Sequence, residues 1–235
     1  MRRLLAPAFP LALLALASCG SEPQPEPTPT PTQTPVGPRK LVAAGFDDQN
    51  LGPRIVGPQG PEVTAMLTID GREVGEIVSY VACPAPPTQG DEAELVPVQE
   101  GDECDPTAQE EGAVFTYVHR ITPAEGMEGQ LLSFRTSRPA TGFANTIGFD
   151  REEAAAALGE DYGIGVSLDN GALIWRVEAG DGWDAGESIT LFWQSTLPPE
   201  GPADAYEVET ADGRGTASGP FPPKEEAAEE TAPPS

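Results

Sequence analysis

Four groups of side chains in this 235-residue chain have types and spacings that could do chemistry. The first is acidic. Asp91, Glu92, Glu94, Glu100, Asp102, Glu103, Asp105, Glu110 and Glu111 share one stretch that holds no base. Crowded carboxylates repel, and a divalent cation such as calcium would relieve that repulsion. Their spacing is irregular and fits no EF-hand or repeat-type calcium loop, so the pattern reads first as a solvated acidic loop. The second group is the turn GDGWDAGE, in which Asp181, Asp184 and Glu187 surround Trp183. An exposed indole beside carboxylates can stack on a sugar ring while the acids hold its hydroxyls or a metal ion. The plainer alternative is a turn whose Trp183 packs back onto a sheet.

His119 is the third, and it is the only histidine. Any Ser-His-Asp or Cys-His site would have to use it, and no G-x-S-x-G elbow accompanies it. It alternates with Phe115, Tyr117 and Ile121, the spacing of a packed strand face. One histidine also excludes a multi-histidine metal site. No phosphate-cradling glycine loop or dinucleotide fingerprint is present. Paired carboxylates for glycoside hydrolysis carry no diagnostic weight in a chain with 38 acids. No catalytic residue and no bound cofactor is therefore expected.

The fourth group is the cysteines, and the first of them ends a leader. Arg2 and Arg3 precede an uncharged apolar run from Leu4 to Ala17, which is too short to span a bilayer. Leu16-Ala17-Ser18-Cys19 follows and resembles the lipobox of bacterial lipoproteins. The resemblance implies that residues 1–18 are a signal peptide and that Cys19 becomes the first mature residue. Its thiol would carry a diacylglyceryl thioether and its amine a further acyl chain such as palmitate. Several chains give durable anchoring in a lipid bilayer where one is marginal. Gly20, in place of the Asp that favours inner-membrane retention, implies the outer membrane, facing the periplasm. In an exported chain the two remaining cysteines, Cys83 and Cys104, are expected to form a disulfide closing a 22-residue loop. They lack the C-x-x-C spacing of a redox pair.

These groups need elements to position them. Residues 19–40 form a Pro/Thr-rich tether. Its SEPQPEPTPTPTQTPVGP tract favours extended polyproline geometry at about 3.1 Å per residue, a reach on the order of 50 Å. Residues 220–235 read as an acidic disordered tail. Between them, residues 41–219 show alternating runs and turn pairs. Val63, Ala65, Leu67 and Ile69 share a face ahead of Asp70-Gly71. Asn170-Gly171 and Asp212-Gly213 give two further hairpin signals. Further strands are expected at 73–83, 113–121, 130–136, 163–168 and 172–178, and from Ile189 to Trp193. One short helix is expected near 151–158, with Asp150 as N-cap, Glu153 at N3 and Gly159 after its end.

The expected fold is mainly β: an antiparallel β-sandwich, similar in layout to immunoglobulin or fibronectin type III modules, or two small sandwiches meeting near Pro123. The net charge of −25 argues against nucleic-acid partners. The function expected is a non-enzymatic envelope module that holds or recognises another envelope protein. Two alternatives are a calcium- or glycan-binding module and an envelope hydrolase working through carboxylates.

Overall fold

The computed structural model describes residues 37–85 and 103–224. The leader, Cys19, most of the tether, the acids from Asp91 to Asp102 and the tail beyond Lys224 lie outside the described residues.

The chain is mainly β with one short α-helix. The strands are β1 (Arg39–Lys40), β2 (Ala44–Gly45), β3 (Leu51–Ile55), β4 (Val63–Ile69), β5 (Arg72–Pro84), β6 (Glu103–Cys104) and β7 (Phe115–Pro123). They continue as β8 (Leu131–Thr136), β9 (Phe143–Phe149), β10 (Gly163–Asp169), β11 (Ala172–Ala179), β12 (Ile189–Ser195), β13 (Gly201–Thr210) and β14 (Gly213–Phe221). The helix, α1, spans Arg151–Leu158.

Alternation explains most of these strands. Tyr117, His119 and Ile121 of β7 all point inward and are fully buried. Asp70 and Gly71 carry φ of 50° and 76°, the left-handed pair that a two-residue hairpin requires, and they join β4 to β5. Asn170 and Gly171 do the same between β10 and β11, at 49° and 83°. The third hairpin turns one residue earlier than Asp212-Gly213. Thr210 pairs with Gly213, so Ala211 and Asp212 are the central residues. The Thr210 hydroxyl accepts the Asp212 N–H at 3.2 Å and holds that turn without a left-handed pair.

Helix α1 starts as its sequence predicts. The Asp150 carboxylate accepts the Glu153 N–H at 2.9 Å, and Gly159 follows the last turn with φ 85°. The reciprocal half of the capping box is absent. Glu153 instead accepts the Thr190 N–H of β12 at 2.7 Å and pairs with Arg120 of β7 at 2.6 Å, which fastens the helix to the sheet.

The strands follow one hydrogen-bonded path, β1-β10-β11-β8-β13-β14-β4-β5-β7-β12-β9-β2, with β3 and β6 branching beside β5. Pairing is antiparallel except for β2 with β9 and β3 with β6. Strands from both sides of Pro123 interleave, since β7 lies between β5 and β12, so no division falls there. The path folds over on itself. Trp175 of β11 donates its indole N–H to the Gly148 carbonyl of β9 at 2.9 Å, although the two strands lie near opposite ends of the path.

The first and last members of the path, β1 and β2, are separated by only Leu41, Val42 and Ala43. One segment therefore clasps both ends. It pairs with β10 through Arg39 and Lys40, adds a Leu41 N–H bond to Val166 at 2.9 Å, and pairs with β9 through Ala44 and Gly45. Arg39 and Lys40, expected in the tether, thus belong to the sheet. So do Pro220 and Phe221, expected in the tail, because the Phe221 ring packs on Trp193 and Tyr206.

Cys83 of β5 and Cys104 of β6 are joined as a disulfide, with their Cα atoms 6.4 Å apart. The pairing of β3 with both strands places them side by side: Arg54 lies opposite Ala82, and Ile55 opposite Cys104.

Candidate functional site

His119 sits at the centre of the core and is fully enclosed. Ser79 lies directly across from it on β5, its hydroxyl 2.9 Å from Nδ1. Trp193 of β12 donates its indole N–H to Nε2 at 3.2 Å. An Nε2 that accepts must be unprotonated, so the proton of the neutral ring sits on Nδ1 and is donated to Ser79. Tyr206 and Phe134 close over the ring at centroid distances of 4.3 and 5.4 Å. Burial pushes the imidazole down to a pKa of about 3, so it stays neutral across ordinary pH. The Ser-His contact is thus a satisfied polar pair inside an aromatic core. A substrate has no route to it.

The GDGWDAGE turn is a packing element in this structure. Trp183 is buried, and its indole N–H donates to the Glu187 carbonyl at 2.7 Å. Its own carbonyl accepts the Leu131 N–H of β8, and the Asp181 N–H caps the helix by donating to Leu158 at 2.8 Å. The Glu187 carboxylate accepts the Asp184 N–H at 3.1 Å. Asp181 and Asp184 are exposed and Glu187 is half-buried. The indole faces the core, so it offers no stacking surface to a glycan. Among the described residues no group of three or more His, Cys, Asp or Glu side chains is placed to hold a metal ion.

Of the acidic stretch, Glu103, Asp105, Glu110 and Glu111 are described, and all are exposed. Asp105 accepts both the backbone N–H and the hydroxyl of Thr107, which holds its carboxyl below its ordinary pKa and caps the turn Pro106–Ala108.

The surface feature with the most chemical variety lies on the outer face of β1, β10, β11, β8 and β13. Two cross-strand rows run over it. Register sets Lys40 opposite Ser167, Ser167 opposite Ile174, Ile174 opposite Arg135, and Arg135 opposite Glu207. Beside that row run Gly165, Arg176, Ser133, Glu209 and Arg214. Glu209 is the hub of the second row. It accepts from Ser133 at 2.8 Å and pairs with Arg176 at 2.9 Å and Arg214 at 3.4 Å. The Ser133 bond and the two guanidinium groups hold its carboxyl below its ordinary pKa, against a smaller opposing effect of burial.

A groove of about 650 Å³ opens where this face meets the clasp. Leu41, Ala43, Ile164 and Ile174 give it apolar wall, and Lys40, Arg135 and Arg176 bring positive charge. Gly165 leaves room for the Glu178 carboxylate to lie over its backbone. Sequence reading did not find this groove. Its residues come from three stretches far apart in the chain, the clasp, β8 and the β10–β11 hairpin, and no local spacing marks them. Among the described residues no helix is long and apolar enough to cross a membrane. Comparison with protein-family models, with curated proteins and with solved structures finds no match to this chain.

Proposed function

We propose that this chain is an acylated lipoprotein of the bacterial envelope, anchored through Cys19 and carrying its β domain on a Pro/Thr stalk. In this reading it faces the periplasm from the outer membrane and works without catalysis, holding or recognising an envelope protein through its surface. The observation that carries the interaction half is the placement of the reactive groups. The single histidine and all three tryptophans, Trp175, Trp183 and Trp193, are spent inside the core. What faces solvent is a charge-laddered sheet face with a groove beside the clasp that mixes apolar wall, the bases Lys40, Arg135 and Arg176, and the acids Asp169 and Glu178. Grooves of that mixed character suit a polypeptide better than a small polar substrate. The anchor half rests on the leader and on the Leu16-Ala17-Ser18-Cys19 motif.

The test has two arms. Expressed in a bacterium with a labelled fatty acid, the full chain should take up label and sediment with membranes, and Cys19→Ser should lose both. A soluble, unlabelled wild type would end the anchor half. A photo-crosslinking residue at Ile174 should then give a discrete adduct in cells that the same residue at Met66, exposed elsewhere, does not. Equal adducts at both positions would end the assignment of this face.

A further inference from the structure

A second depression, of about 640 Å³, lies at the far end of β14. Its lining includes Arg138, Glu200, Pro202, Phe221, Pro223 and Lys224. The Arg138 guanidinium lies over the Phe221 ring, 4.4 Å from its centre. Its Nε is enclosed and has no hydrogen-bond partner. The ion pairs of the described residues use Arg54, Arg72, Arg120, Arg135, Arg176 and Arg214, and none uses Arg138 or Lys224. Two bases against one acid, Glu200, make this groove locally cationic in a chain of net charge −25. Arg138 is half-buried and Lys224 is exposed, and a half-buried cation ordinarily finds a carboxylate.

The chain supplies one at once. It leaves the described region at Lys224, on the wall of the groove, and continues as EEAAEETAPPS. Glu225, Glu226, Glu229 and Glu230 bring four carboxylates, and Ala227 and Ala228 are small enough to lie against prolines. We propose that residues 225–230 fold back into this groove in cis, pairing with Arg138 and Lys224 and covering Pro202 and Pro223. The tail then acts as a built-in occupant that shields the groove from other anionic segments. High salt or a competing acidic peptide displaces it.

A double-mutant cycle on the detergent-solubilised full chain tests this. One change is Arg138→Gln. The other replaces the four tail glutamates by Gln. Removing four negative charges relieves general repulsion equally in both backgrounds, so the readout is the difference between them. At low salt, tail neutralisation should lower Tm by about 2–4 °C more in the wild-type background than in Arg138→Gln. At about 1 M salt, where charges are screened within roughly 3 Å, that difference should vanish. Additive effects at low salt would overturn the proposal and leave the groove to a partner of other chemistry. A difference that grows with protein concentration would also overturn it, because the tail of a second copy would then fill the groove. If Arg138→Gln does not fold, Lys224→Gln on the same wall completes the same cycle.

Discussion

At the scale of single residues, His119 carries the sharpest consequence. Above pH 6.5 the imidazole is neutral in both the folded and the unfolded chain. Below that, the unfolded chain takes a proton that the folded chain refuses until about pH 3. Stability must therefore fall as pH falls through this window, by roughly 5 kcal/mol at its lower end. His119→Gln keeps an acceptor for Trp193 and a donor for Ser79 but cannot titrate. Denaturant unfolding from pH 7 to pH 3 should show wild type losing several kcal/mol more than the variant, and parallel curves would mean the ring is not sealed. The inward position of His119 was legible from its alternation with Tyr117 and Ile121. Its partners were not, because Trp193 lies 74 residues away along the chain. Trp183 gives the converse case. Its acidic neighbours left a ligand site open beside the plainer packed turn, and the structure shows the packed turn, with the indole N–H on the Glu187 carbonyl.

At the scale of elements, Glu153 shows how a local signal is rerouted by packing. The sequence placed it correctly at N3, and the Asp150 cap formed as expected. Its carboxylate turned away from the helix because the buried Thr190 N–H needed an acceptor. Two substitutions separate its roles. Glu153→Gln keeps an acceptor for Thr190 and loses only the half-exposed pair with Arg120, at a cost of about 1 kcal/mol or less. Glu153→Ala strands the Thr190 N–H and should cost about 1–3 kcal/mol. Denaturant midpoints should rank wild type, Gln, then Ala, and an Ala variant as stable as Gln would show that the Thr190 bond contributes nothing. Long strands and hairpins were legible because alternation and left-handed turn pairs are local. The short strands β1, β2, β3 and β6 were not, since two to five residues hold no period. Strand β9 was hidden for another reason: Asn145, at φ 62°, breaks its alternation, and its register with β12 shifts between Ile147 and Phe143.

At the scale of the whole molecule, the disulfide and the clasp do different work. The bond between Cys83 and Cys104 restrains a loop of 22 residues, which in the chain-entropy model stabilises by roughly 3 kcal/mol. Replacing both cysteines by Ala should lower Tm by about 6–12 °C, and calorimetry of the oxidised wild type against the variant measures it. An unchanged Tm would mean that the cross-link restrains nothing. The pairing was legible from the cysteine count and the leader-like first residues; the neighbours that align it, Arg54 and Ile55, were not. The mainly-β class was legible too. The clasping of both ends of the path was not, because it depends on a segment too short to register as a strand joining two others that lie more than a hundred residues downstream. That distance sets an order of events. The Leu41 N–H finds its acceptor on Val166. During vectorial synthesis the clasp is among the first parts of the domain to emerge and must wait for partners far downstream. Until the clasp docks, the edges of β9 and β10 that it covers stand open to any other extended chain nearby.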